Sequence, residues 1–192
     1  MRTLTALGIV IAATAMSHAT ERRQLGAHEH GHSKLNIAVE GTSVVMEVAA
    51  PGLDVLGFEH PPETEADKAA VAAGTAALAD PLSLFVLPAA AGCQVTEAAV
   101  ELAQEEHDHD EAEAAGEAHA HEHDHEEELH SEFSGRYTLA CADPAALTEI
   151  AFAWFDRFPN AKEVEVTLVT AKGQTSFEVE RGDPPLAIGT AS

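Results

Sequence analysis

Basic residues are scarce in this 192-residue chain: 10 Lys and Arg stand against 33 Asp and Glu, a formal charge of −23 with histidine neutral. That balance repels phosphate backbones and anionic lipid headgroups, which excludes nucleic-acid and peripheral-membrane roles and leaves cations as ligands. Cysteine is nearly absent as well. The two present, Cys93 and Cys141, form no C-x-x-C pair, the spacing expected of thiolate ligands for zinc. There is no phosphate-cradling glycine loop, no Ser-His-Asp set in a catalytic context and no nucleophilic cysteine, so the expectation is binding without turnover, not an enzyme. A long apolar run is missing too. Leu4 to Met16 is uncharged, but about thirteen residues fall short of the roughly twenty a bilayer crossing needs. Arg2 precedes this run, and Ser17 and Ala19 supply small residues at the −3 and −1 positions of a cleavage site. The stretch 1–19 therefore reads as a cleavable export signal, leaving a chain that is not membrane-inserted.

Histidine, by contrast, is abundant, with 12 residues among the carboxylates. The richest stretch is Gln104 to His130, which holds seven of them (His107, His109, His119, His121, His123, His125 and His130) with twelve acidic residues and no lysine or arginine. Apart from alanines and Leu129 it offers nothing to bury, so it is expected to be a disordered insert when no ligand is bound. A solvated acidic loop would account for the glutamates but not for the H-x-H-x-H-x-H spacing of His119 to His125. Alternate residues of an extended chain project to one side, so neighbouring imidazoles there can share a metal. Asp108 and Asp124 add oxygen ligands between them.

A second cluster, His28-Glu29-His30-Gly31-His32, precedes a strand-like alternation. Continued backwards, the strand's parity puts all three histidines on the outward face with Lys34 and Asn36. Glu59 and His60, ahead of Pro61-Pro62, either complete such a site or belong to a turn. Both His28–His32 and His121–His125 spell H-E-x-x-H, but protease chemistry needs that motif on a buried helix, and neither stretch offers one.

The flanking segments predict an α+β fold with largely antiparallel sheets and packed helices, interrupted by the insert. Leu35, Ile37 and Val39 alternate with polar residues, Glu40-Gly41-Thr42-Ser43 turns the chain, and Val44 to Val48 returns. Glu63 to Ala79 is alanine-rich, with Thr64 and Asp67 as a capping pair. Leu82 to Leu87 fits either strand or helix, and Gln94 to Leu102 and Phe133 to Ala140 read as strands. Asp143 and Pro144 open a predicted helix whose Leu147, Ile150, Ala151, Trp154, Phe155 and Phe158 share one core-facing side, up to Pro159. Strands through Val164–Leu168 and Phe177–Val179 follow. The organisation expected is a first half over 20–103, the insert over 104–130, a second half of the same domain over 131–181, and a tail over 182–192 that need not be ordered. In an oxidising compartment Cys93 and Cys141 are most simply one disulfide, with thiolate ligation of zinc as the alternative. Because the pair flanks the insert, such a bridge is expected to staple its base and to stabilise by roughly 3–4 kcal/mol.

The order of these parts resembles the ZrgA-like family of zinc-binding proteins from the periplasm of Gram-negative bacteria. The resemblance lies in His28-Glu29-His30-Gly31-His32 followed by Leu35-Asn36-Ile37-Ala38-Val39-Glu40-Gly41, then Gly57-Phe58-Glu59-His60-Pro61 and Ala91-Gly92-Cys93. It continues through the His/Asp/Glu insert and Cys141 to Phe155-Asp156-Arg157-Phe158-Pro159 and Gly173-Gln174. It implies a periplasmic protein, made when zinc is scarce, that binds Zn2+ and assists its uptake by an ATP-driven importer or a metal receptor. The residues themselves give imidazole with carboxylate, which suits zinc but also Ni2+ and Cu2+. Several ions per chain are expected from so many near-equivalent ligands. Two other classes stand beside zinc uptake: a buffer or sink for excess copper or nickel, and a metal-dependent enzyme, which would need one defined site with an open coordination position.

Overall fold

The computed structural model describes residues 29–104 and 130–189. Strands β1 (His32–Glu40) and β2 (Ser43–Pro51) form an antiparallel hairpin closed at the Glu40–Ser43 pair. Gly41, at φ 56°, supplies the left-handed residue that so tight a turn favours. Helix α1 (Gly52–Leu56) ends on Gly57, and helix α2 (Glu65–Leu78) starts at Thr64. The Thr64 hydroxyl accepts from the Asp67 N–H at 3.1 Å while the Asp67 carboxylate accepts from the Thr64 N–H at 2.8 Å. This is the reciprocal cap the sequence predicts. The ambiguous stretch at 82–87 divides between helix α3 (Pro81–Leu84) and strand β3 (Phe85–Val86). Strand β4 (Cys93–Gln104) pairs with β5 (Ser131–Cys141), and β6 (Glu149–Phe152), helix α4 (Trp154–Arg157), β7 (Glu163–Thr170), β8 (Gly173–Glu180) and β9 (Leu186–Ala187) complete the order.

The fold is α+β and mostly sheet. Six strands run in the order β4-β5-β2-β1-β7-β8, all antiparallel except the β1–β7 pair, and β3-β6-β9 make a small second sheet. Alternation gives the large sheet one apolar face. Across the register, Ile37 lies beside Met46 and Leu168, and Met46 beside Tyr137, all four buried. The helices and the small sheet cover that face. Trp154 is fully buried, stacked on Phe85 at 5.5 Å between ring centroids and edge-on to Phe158 at 4.5 Å. These aromatics are core, as their spacing implies.

Two expectations need correction. The helix predicted over Asp143–Phe158 does not form. Asp143 does cap a turn, accepting from the Ala145 N–H at 3.2 Å, but the turn is a 3-10 helix over Pro144–Ala146 and the chain then extends as β6. Leu147, Ile150, Trp154, Phe155 and Phe158 are all buried, so the spacing reported burial correctly; strand pairing of Ile150 with Leu186 and Ala151 with Val86 overrode the helix. In the tail, β9 pairs with β6 and Ile188 is buried. Finally, Cys93 and Cys141 are disulfide-bonded, but they do not sit at the insert's base. They close the β4–β5 ladder at one end, and the 105–130 connection leaves it at the other, from the Gln104–Ser131 pair.

Candidate metal centre

The strand parity of β1 does not extend back to His30. Residues 30–31 form a turn, with Gly31 at φ 93°, a conformation an L side chain rarely adopts. The turn is tied on every side. The Gly31 N–H donates to Asp54 Oδ1 at 2.8 Å, its carbonyl accepts from the Lys162 and Glu163 N–H groups at 2.8 and 2.9 Å, and the His32 N–H reaches the Glu29 carbonyl at 3.1 Å. Of the described histidines of the N-terminal cluster, His32 takes the outer-face position beside Lys34 and Asn36, with Nδ1 3.6 Å from Glu163. No helix carries the H-E-x-x-H spelling here, since residues 30–31 are turn and His32 opens a strand.

Turned off the strand, the His30 ring meets two other segments. Its Nε2 stands 3.0 Å from Glu59 Oε2, and the same oxygen is 3.5 Å from His130 Nδ1. His30, Glu59 and His130 each bring a ligand atom to within 4.8 Å of the others. Glu59 comes from the loop between α1 and α2 and is aimed by its second oxygen, which accepts from the Leu53 N–H at 3.5 Å. His130 is the residue immediately before β5. Gly52 eases this meeting: a Cβ there would stand 1.9 Å from Ser131 Oγ and 3.3 Å from the Phe58 carbonyl, so glycine lets the start of α1 lie close against the foot of β5.

Two of the three separations suit a small cation, and the two imidazole nitrogens lie within 4.8 Å of one another. Zinc bonds of about 2.0–2.1 Å in a tetrahedron put neighbouring donor atoms roughly 3.3 Å apart, which brackets with the 3.0 and 3.5 Å separations seen. His130 Nδ1 is buried and has no hydrogen-bond partner among the described residues, an arrangement that costs free energy unless something fills the gap. Two imidazoles and one carboxylate leave a tetrahedral ion one open position.

Asp54 is the residue the sequence reading missed. It is 1 % exposed and accepts from both the Gly31 N–H and, at 2.9 Å, the Ser33 hydroxyl, so it holds the turn that presents His30. Burial pushes its carboxyl above the usual range, while the Ser33 and Gly31 hydrogen bonds and the nearby His30 and His32 pull it back. The one signal in the chain was an acid lodged between Leu53 and Val55-Leu56.

Of the other residues expected as ligands, His60 stacks on Phe58 at 4.6 Å and its Nδ1 is 2.9 Å from the Pro61 carbonyl, which keeps it out of the trio. His28, His107, Asp108, His109, His119, His121, His123, Asp124 and His125 lie outside the described residues, as does the stretch 1–19. No helix among the described residues is long and apolar enough to cross a membrane. Comparison with curated proteins gives no match. The family described as ZrgA family zinc uptake protein matches residues 27–188, which takes in both sheets and all three members of the trio. The chain belongs to the ZrgA family of zinc uptake proteins.

Proposed function

We propose that this protein captures Zn2+ in the periplasm, after export on a cleaved signal over residues 1–19, and passes it toward an ATP-driven importer or its metal receptor. The observation that carries the reading is the convergence of His30, Glu59 and His130 from three distant segments, with the buried His130 Nδ1 3.5 Å from Glu59 and making no hydrogen bond among the described residues. In this reading a single α+β domain, its halves at 20–103 and 131–181, carries the trio as its holding site. Histidines of the 104–130 insert, with Asp108 and Asp124, collect further ions beside it; His28, His32 and His60 contribute weaker ligation. The role is binding and transfer, not turnover. The ion is cargo, so a site with an open coordination position suits exchange better than a closed four-ligand cage.

Zinc titration of the untagged protein against a chelator tests this. We expect more than one ion per chain and a tightest site weakened at least about tenfold by His30→Ala, His130→Ala or Glu59→Gln. Deleting residues 104–128 should lower the stoichiometry and leave that tightest site in place. Three variants that bind like the parent would refute the trio, and unchanged stoichiometry on deletion would make the insert a bystander. Protons compete for imidazole nitrogen, so zinc affinity should fall in acid, and equal affinity at about pH 5 and about pH 7.5 would contradict histidine ligation. Imidazole sites bind Ni2+ and Cu2+ at least as tightly, so induction by zinc shortage supports uptake, whereas induction by copper or nickel excess would make the protein a sink.

A further inference from the structure

On the outer face of the large sheet carboxylates outnumber the cations Lys34 and Arg136. Between β1, β2, β4 and β5 that face is hollowed into a groove of about 710 Å³. Alanines such as Ala49 and Ala99 keep the floor low, and Glu47 and Glu101 line it together with the largely buried Glu132 and the guanidinium of Arg136, which pairs with Glu47. The acidity continues across the sheet. Glu165 faces Glu178, and Glu163 faces Glu180, directly across the β7–β8 ladder. Like charges set opposite one another destabilise a sheet pair, and this chain carries two such pairs side by side. Lys34, in register beside Glu165, and His32, 3.6 Å from Glu163, offset part of that cost, and the balance of the face stays acidic.

We propose that this face is a docking surface for a cationic segment of a protein partner, one bearing lysine or arginine on an extended or gently curved stretch. Charge complementarity selects the occupant. A nucleic acid or an anionic membrane is repelled by the same carboxylates, and a second copy of this chain would bring glutamates against glutamates. The small floor residues let long basic side chains lie flat on the sheet while their heads reach Glu101 and the flanking glutamates. The inference does not rest on the metal trio: the groove and the opposed pairs stand whether or not His30, Glu59 and His130 hold an ion.

The test uses the full chain with a fluorescent peptide of alternating lysine and glycine as probe. Binding is titrated at low and high salt, and carbodiimide cross-links between peptide lysines and protein carboxylates are mapped by mass spectrometry. The proposal expects cross-links at Glu101, Glu165 or Glu178, affinity that falls with salt, and roughly tenfold weaker binding in the double variant Glu47→Gln/Glu101→Gln. Both residues are at the surface, and an unchanged thermal transition would show that the variant is folded. Cross-links confined to the acidic residues of 105–129, affinity unaltered by the double variant, or no binding at all would each overturn it.

Discussion

At Asp54 a single carboxylate decides where His30 stands. It accepts from the Gly31 N–H and the Ser33 hydroxyl, and burial raises its proton affinity in the folded state. The sign follows: a folded-state value above the unfolded one contributes stability that is full in acid and is lost as pH rises through the folded value. Asp54→Asn keeps an oxygen for Gly31 and can donate to Ser33, with no charge to desolvate. Urea unfolding should therefore show this variant gaining on the parent as pH is raised from about 3 to 7. Asp54→Ala leaves both donors buried and unanswered, a loss of about 1–3 kcal/mol, and should weaken zinc binding by freeing the His30 turn. Equal zinc affinity in that variant would show that the turn holds its shape without the carboxylate.

Between elements, the decisive contact is the approach of α1 to β5 at Gly52 and Ser131. Gly52→Ala forces the Ser131 hydroxyl to swing aside, since its Cβ would land 1.9 Å from Ser131 Oγ, and leaves that Cβ 3.2 Å from Ser131 Cβ and 3.3 Å from the Phe58 carbonyl. We expect a loss of about 1–3 kcal/mol from the clash, together with weaker zinc binding, because Glu59 follows α1 and His130 adjoins β5. Thr64→Ala on the exposed cap of α2 should cost about 1 kcal/mol and leave zinc affinity as it was. The contrast between the two, measured by thermal unfolding and chelator competition, separates damage to the site from damage to the fold. At this scale the sequence was most legible where one signal acted alone. The β1–β2 turn at Gly41 and the Thr64 cap are local chemistry, and both appear as read. It misled where two structures bury the same residues: Leu147 to Phe158 has helical spacing, yet Ile150 and Ala151 are claimed by the distant partners Leu186 and Val86. The trio was hidden among fourteen candidate ligands for the same reason. Its members become neighbours only once α1 packs on β5, and nothing along the chain announces that.

Taken as a molecule, the protein is stapled at two places that do different things. The Cys93–Cys141 bridge closes one end of the β4–β5 ladder, and replacing both cysteines with serine should cost about 2–4 kcal/mol while leaving zinc affinity intact. The trio lies at the other end and joins chain positions 30, 59 and 130. An ion bound there belongs to the folded state, so zinc at a hundred times its dissociation constant should add about 2.7 kcal/mol and raise the melting temperature. Ligands adjacent in sequence, as in His119 to His125, serve an unfolded chain nearly as well and stabilise little. His130→Ala should therefore abolish most of the thermal shift even while the variant still takes up several ions. A full shift in that variant would mean that the stabilising site lies elsewhere.

The separation of those two fastenings has a consequence for how such a protein can vary. The mouth of the 105–130 connection is set by the Gln104–Ser131 pair, and the ladder behind it is clamped at the far end by sulfur. Lengthening or shortening a connection anchored in this way changes closure entropy only slowly, by about 0.6 kcal/mol for each doubling. With the insert collecting ions as proposed, capacity can therefore change by adding or trimming His and Asp repeats at little cost to the domain's stability.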